Sequence, residues 1–172
     1  MLSSCAQERA VSYLNSMLDQ LAASGEAFQL AALELIRKVC KANPLVKSQY
    51  AKCIYGLTNS TSNAVAYEAA NTLVALSTAK IALRAAIAAY TRLLQLESDN
   101  NVKLIILNRL IALKKRHSKV LEEMLLDMLR TLATPNIDIR KKTMELGLDL
   151  VSQRNVDEVS PARLAICCEW TE

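Results

Sequence analysis

Residues 97–115 read ESDNNVKLIILNRLIALKK, a polar break followed by a run in which apolar side chains dominate. The apolar residues of this run have counterparts elsewhere in the chain at nearly constant distances. The anchors of the pattern are spaced 37, 37 and 35 residues apart: Phe28, Val65, Val102 and Ile137. A period of this length with two helices per unit is typical of HEAT and armadillo repeats. The sequence therefore predicts an all-α fold, an α-solenoid of HEAT/armadillo-type helical repeats.

Further positions within each period repeat as well. Two residues after the anchors stand apolar residues: Leu30, Tyr67, Leu104 and Ile139. Eleven residues after them stand Val39, Leu76, Leu113 and Leu148. Ten residues after the last three anchors stand small residues, where we expect close helix approach: Ala75, Ala112 and Gly147. The last unit fits less well, because Lys141, Lys142 and Glu145 stand where earlier units have apolar residues.

The composition agrees with a helical protein. The 172 residues include three Gly and three Pro, whereas average usage gives about twelve Gly and about nine Pro. Hairpin-rich β folds need these residues at their many turns, so they are excluded. A plain helical bundle of accidental regularity is the alternative to the solenoid. In a solenoid, stacked units share the apolar faces that one helical hairpin cannot cover by itself.

Polar breaks divide the chain into eight predicted helices, at residues 4–23, 26–42, 44–57, 64–76, 79–96, 102–115, 118–133 and 136–152. A ninth begins at 155–159 and is interrupted by Ser160 and Pro161. We therefore predict a partial repeat array over 1–159 and a divergent C-terminal tail over 160–172, poorly ordered or loosely docked. Without a ninth helix, an apolar face that includes Leu146, Leu150 and Val151 lacks its next repeat, which predicts self-association through the uncapped C-terminal end.

Enzyme and metal signatures are missing. The sequence has no glycine-rich phosphate-binding loop and no nucleophile elbow, and its one histidine is His117. Its cysteines form no C-x-x-C pair, and Cys40 and Cys53 occupy apolar helix positions typical of buried structural thiols. We therefore expect no catalytic residue, no cofactor and no metal. No run is long and apolar enough for a membrane span and no signal-peptide pattern occurs, so we predict a cytoplasmic protein.

Two basic clusters stand out against a net charge of +4. One consists of Lys114, Lys115, Arg116 and Lys119, and residues 114–116 close a predicted helix, where cations complement the helix dipole. Arg140, Lys141 and Lys142 fall early in a helix, where the same dipole opposes them. These three are therefore the candidate contact for a partner or an acidic membrane surface. Nucleic acid is not expected, because aromatic side chains are scarce.

Residues 64–159 resemble the coatomer beta-subunit family of the COPI vesicle coat, and residues 17–63 look similar but less distinctive. The motifs that carry the resemblance are YEAA at 67–70, TLV at 72–74, LS at 76–77, ESDNNVKLI at 97–105, Leu132 with TP at 134–135, IRKKT at 139–143, LDLVS at 148–152 and RNV at 154–156. In that family these segments belong to a helical trunk shared with the clathrin adaptor large chains. After Val159 the chain departs from the family pattern, which continues with a further apolar helix.

The resemblance implies a non-enzymatic structural subunit that scaffolds the COPI coat in Golgi-to-ER and intra-Golgi transport. The implied partners are other coatomer subunits and an Arf-family small GTPase, with peripheral contact to Golgi membranes through the coat. The alternative is another HEAT-repeat binding module, either a clathrin adaptor large chain or a scaffold for nuclear transport or nucleic acid. Fold alone does not separate these functions.

Overall fold

The computed structural model describes residues 2–129 and 136–151. Within these ranges it contains α-helices, two short 3₁₀ segments and turns, and no β-strand, which confirms the all-α prediction. The α-helices are α1 Leu2–Met17, α2 Glu26–Ala42, α3 Lys47–Leu57, α4 Asn63–Leu76, α5 Lys80–Leu96, α6 Asn100–Glu122, α7 Leu125–Leu129 and α8 Ile137–Leu150. The predicted break at 134–135, the ninth helix and the tail over 160–172 lie outside the described residues.

Every second helix begins after the same number of residues. The first residues of α2, α4, α6 and α8 are spaced 37 residues apart without variation. Before α4, α6 and α8 the side chain of the preceding residue accepts a hydrogen bond from a backbone N–H group of the first turn: Ser62 from Val65, Asp99 from Asn101 and Asn136 from Ile139. These side chains satisfy N–H groups that have no partner inside the helix, and so fix where these three helices start, whereas α2 begins after Gly25 without a side-chain cap.

The predicted spacing of 35 residues in the last unit is wrong, and the correct value is 37. Ile137 is 71% exposed, whereas its supposed equivalent Val65 is fully buried. At a constant spacing of 37, buried residues coincide in two rows, Ala32, Ala69, Ile106 and Thr143, then Ile36, Leu73, Leu110 and Gly147. The partner of Val102 is therefore Ile139, and Ile137 is the first residue after the N-cap.

This shift also corrects the predicted row of small residues. Ala75 and Ala112 are exposed, so they do not bring helices close together. Gly147 is buried and does lie in a close contact, because a Cβ atom built on it would stand 2.8 Å from Cδ2 of Leu129 in α7. Gly147 thus occupies the position where earlier units carry Leu73 and Leu110.

The chain divides into two compact units, with the boundary between Ala89 and Tyr90 inside α5. In the first unit α4 packs against both α2 and α3. The ion pair between Arg37 in α2 and Glu68 in α4, 3.1 Å long, joins two of these helices at the surface. The core of the first unit contains these fully buried large side chains: Leu14, Leu21, Leu33, Ile36, Tyr50, Ile54, Leu57, Leu83 and Ile87.

Gln29 is a buried polar residue with a clear structural role in this unit. Its amide nitrogen Nε2 donates to the backbone carbonyl oxygens of Leu21 at 3.0 Å and Ala22 at 3.1 Å. Both carbonyls belong to the 3₁₀ segment Leu18–Ala23 that follows α1. One side chain therefore ties α2 to the end of the preceding helical segment.

We expect Gln29→Leu to lower the free energy of unfolding by about 1–2 kcal/mol, because two backbone carbonyls lose their donor while the side-chain volume is kept. Gln49→Leu is the matched control, since Gln49 is exposed and its one hydrogen bond, to Asn15, is 3.4 Å long. Urea unfolding followed by circular dichroism measures both variants. Equal stability of the two would contradict the role given to Gln29.

In the second unit α8 packs against α6 and α7. His117 in α6 has non-helical backbone angles, φ −140° and ψ 45°, so α6 bends where the sequence predicts a boundary between helices 102–115 and 118–133. Leu146 and Leu150 are 2% and 1% exposed and Val151 is half-buried, so the prediction that Leu146 and Leu150 belong to an open apolar face is wrong. They share the side of α8 that carries Ile139 and Thr143, because residues four and seven apart lie on one helix face.

Candidate interaction surface on α8

Polar contacts at both ends of α8 fix where the helix begins and how it packs against α6. Asn136 Oδ1 accepts from the Ile139 N–H at 3.0 Å, and Asp138 in the first turn complements the positive end of the helix dipole. Lys142 Nζ donates to Asn108 Oδ1 of α6 at 3.0 Å. Near the other end Asp149 forms an ion pair with Lys114 of α6. These contacts hold α8 in one rotation about its axis.

That rotation separates the basic triplet predicted from the sequence. Lys142 is half-buried and its ammonium group is engaged by Asn108. Arg140 is half-buried, and Lys141 is exposed. Consecutive helical residues point about 100° apart, so three neighbours in sequence cannot converge on one ligand atom. Of the triplet, Lys141 is the residue that extends into solvent.

A cleft of about 390 Å³ lies between α6 and the first turns of α8. Its lining contains the cations Lys141 and Lys142 together with the carboxylates of Asp138 and Glu145. Leu104 of α6 forms its apolar wall. The cleft therefore presents charges of both signs, which suits a polar protein surface better than a compact anion.

Sequence reasoning missed an exposed apolar face on the same helix. Ile137 is 71% exposed, Leu148 is 47% exposed and Met144 is half-buried between them. A cavity of about 520 Å³ runs along this side, lined by Ile137, Arg140, Lys141, Met144 and Glu145. The sequence does contain a signal for this face. Ile137, Lys141, Met144 and Leu148 are spaced four, three and four residues apart, which is the spacing of a helix-pairing seam.

The second basic cluster divides between structural and exposed residues. Lys114 forms the ion pair with Asp149 of α8 described above. Lys115, Arg116 and Lys119 are exposed around the bend at His117. Lys114 thus anchors α8 on α6, and the other three charges solvate the surface of the bend.

Of the two thiols predicted to be buried, Cys40 is buried and Cys53 is half-buried. Cys53 Sγ donates to the Tyr50 carbonyl oxygen at 3.0 Å. Burial raises the pKa of both thiols, which keeps them protonated and poorly nucleophilic near neutral pH. Across the described ranges, no group of three or more His, Cys, Asp or Glu side chains is placed to hold a metal ion.

In residues 2–129 and 136–151, no helix is both long enough and apolar enough to cross a membrane.

This helical framework is similar to that of a known protein family and to several known proteins. Residues 1–161 match the family described as the adaptin N terminal region. Coatomer subunit beta of Dictyostelium discoideum is 53% identical over 159 residues, which cover 92% of this chain and 17% of that protein. Coatomer subunit beta of Sus scrofa is 51% identical over 161 residues, with the same shares covered. Coatomer subunit beta-2 of Arabidopsis thaliana is 50% identical over 159 residues.

These relatives are much longer than the chain. The chain spans about 17% of the length of the curated relatives it matches. The family match covers both compact units and agrees with the helical-repeat architecture.

Proposed function

Because this chain belongs to the adaptin N-terminal region family, we propose that it forms part of the helical trunk of a coatomer beta-type COPI coat subunit. The observation that carries the proposal is 53% identity to a coatomer subunit beta, maintained over 92% of the chain. Identity of this extent includes the surface as well as the core. It therefore favours a shared set of partners over a shared fold alone.

The proposed role is structural and non-enzymatic. Helical repeats give an elongated surface on which several partners can bind at once. The partners are other coatomer subunits and an Arf-family small GTPase, and the coat brings the chain to Golgi membranes from the cytoplasm. No bond is made or broken by this protein, which acts by holding coat subunits together during Golgi-to-ER and intra-Golgi transport.

Arg140, Lys141 and Lys142 remain the proposed contact for an acidic partner or membrane surface. Exposure of Lys141 supports its direct participation. Lys142 would contribute through the position it gives to α8, because its ammonium group is bound to Asn108. We further propose that residues 1–159 act as the repeat array and that residues 160–172 form a separate tail.

A segment exchange tests this function. Replacing the matching 159 residues of Dictyostelium coatomer subunit beta by those of this chain should give a protein that still co-purifies with the other coatomer subunits. The same exchange carrying Leu110→Asp is the control, because a buried carboxylate should unfold the segment and abolish recovery.

A folded chimera that recovers no coatomer subunit would refute the proposal. Recovery of clathrin adaptor chains, nuclear cargo or RNA in place of coatomer would favour another HEAT-repeat binding module. Circular dichroism and protease resistance of the chimera distinguish loss of partner binding from loss of folding.

A further inference from the structure

The exposed face of α8 has the pattern of a helix-pairing seam. Ile137, Lys141, Met144 and Leu148 alternate in steps of four, three and four residues, so they form a single stripe along the helix. The opposite side of α8 carries the buried residues Ile139, Thr143, Leu146 and Leu150. The apolar members of the stripe, Ile137, Met144 and Leu148, therefore lie on the side of α8 opposite its buried residues, and Lys141 borders the cleft that α8 forms with α6.

The stripe is complementary to itself when two copies lie antiparallel. Relative to the level of Thr143, Ile137 lies about 9 Å towards one end and Leu148 about 8 Å towards the other, at 1.5 Å per residue. A two-fold axis at this level brings Ile137 against Leu148 of the second copy. Met144 then lies beside Met144 of the second copy, at the centre of the pair.

Charged residues at the edge of the stripe also favour the antiparallel arrangement of two copies. Lys141 and Glu145 are both exposed and lie on the same side of the Ile137–Leu148 line. In a two-fold antiparallel pair the same sides of the two helices face each other. Lys141 lies about 3 Å before the level of Thr143 and Glu145 about 3 Å after it, so each meets its opposite charge in the second copy. In a two-fold parallel pair the opposite sides of the two helices would face each other, which places Lys141 at nearly the same level as Arg140 of the second copy, a like charge.

We propose that this face of α8, formed by Ile137, Lys141, Met144, Glu145 and Leu148, binds the same face of a second copy of the chain in an antiparallel pair. Two reciprocal contacts between Lys141 and Glu145 set the register, and Ile137, Met144 and Leu148 supply the apolar centre. Arg140 lies on the other side of the seam, where the backbone levels of the two copies of this residue are about 9 Å apart along the axis.

One helix face is smaller than the roughly 800 Å² per partner of a standard interface. We therefore expect a weak dimer, with a Kd on the order of 10–100 µM. This inference is independent of the proposed coat function, because it concerns a contact between copies of the chain itself.

Charge reversal at Lys141 and Glu145 tests the proposal, with sedimentation equilibrium of the full 172-residue chain from about 5 to about 500 µM as the measurement. Lys141→Glu and Glu145→Lys should each raise the Kd at least about tenfold, because each places like charges opposite each other. The double variant, K141E with E145K, should return the Kd to within about threefold of the original. An equimolar mixture of the two single variants should form a heterodimer more tightly than either pairs with itself.

Lys115→Glu is the matched control, since it makes the same charge change at an exposed position of α6 and should leave the Kd unchanged. Both substituted positions are exposed, and circular dichroism checks that the variants stay folded. A wild-type chain that remains monomeric throughout the concentration range would overturn the proposal and leave the face to another protein or to a continuation of the repeat array. Dimerisation that is equally strong in the single variants would overturn it as well.

Discussion

Leu110→Ala is expected to lower the free energy of unfolding by about 3 kcal/mol, within the range measured for buried leucines in other proteins. Leu110 is fully buried in α6, at the position that Ile36 and Leu73 occupy in the earlier repeats. The substitution removes apolar contacts and leaves a cavity that neighbouring helices fill incompletely. Urea unfolding monitored by circular dichroism measures the loss.

Ile105→Ala is the control for this prediction, because Ile105 lies in the same helix and is 51% exposed. Its effect should stay within about 1 kcal/mol, since only part of the side chain leaves water on folding. Both variants replace an aliphatic residue with a good helix former, so helix propensity does not separate them. Equal losses for the two would show that the 37-residue register assigned to α6 is incorrect.

The helical repeat could be predicted from the sequence because its signals are local. Polar breaks contain the residues that cap helices, such as Asp99 and Asn136, and the apolar positions that follow them recur with the period. The absence of hairpin turn signals excluded β-rich folds before any helix was placed. Helix boundaries from 26 to 96 agree with the structure to within a few residues, except that residues 44–46 form a 3₁₀ turn before α3.

The register of the last unit could not be predicted, because in this unit an apolar residue is exposed and a polar residue is buried. Ile137 is apolar but lies at the exposed start of α8, whereas Thr143 is polar and 1% exposed. A comparison based on residue type therefore preferred a spacing of 35 to the actual 37. The helix start at Asn136, defined by its hydrogen bond to Ile139, is the signal that would have given the correct register.

The helix position of Arg140, Lys141 and Lys142 could be predicted, and the arrangement of their side chains could not. All three lie in the first turns of α8, as expected from the sequence. It could not show that Asn108, 34 residues earlier in the chain, engages Lys142. Contacts between elements distant in sequence depend on the rotation of each helix about its axis, which the core residues determine. The exposed seam on α8 was missed because its spacing of four, three and four residues marks a helix face without showing whether that face is buried or exposed.

Gly147→Leu is expected to destabilise the protein by about 2–3 kcal/mol, although it restores the residue type found at Leu73 and Leu110. The space beside Gly147 is already filled by α7, whose Leu129 Cδ2 would stand 2.8 Å from an added Cβ. Leu129 could shift a little for one methyl group, and a complete leucine side chain would have to displace it. Overpacking of this kind forces side chains out of their preferred rotamers.

Gly56→Leu is the matched control, because Gly56 lies in α3 and an added Cβ there meets no heavy atom within 4 Å. That substitution should increase stability by about 0.5 kcal/mol, since leucine is a better helix former than glycine. Adding Leu129→Ala to Gly147→Leu should then recover more than half of the loss, because the smaller residue vacates the space that the new side chain needs. Additive losses in this double variant would show that Gly147 is required for a reason other than its contact with α7.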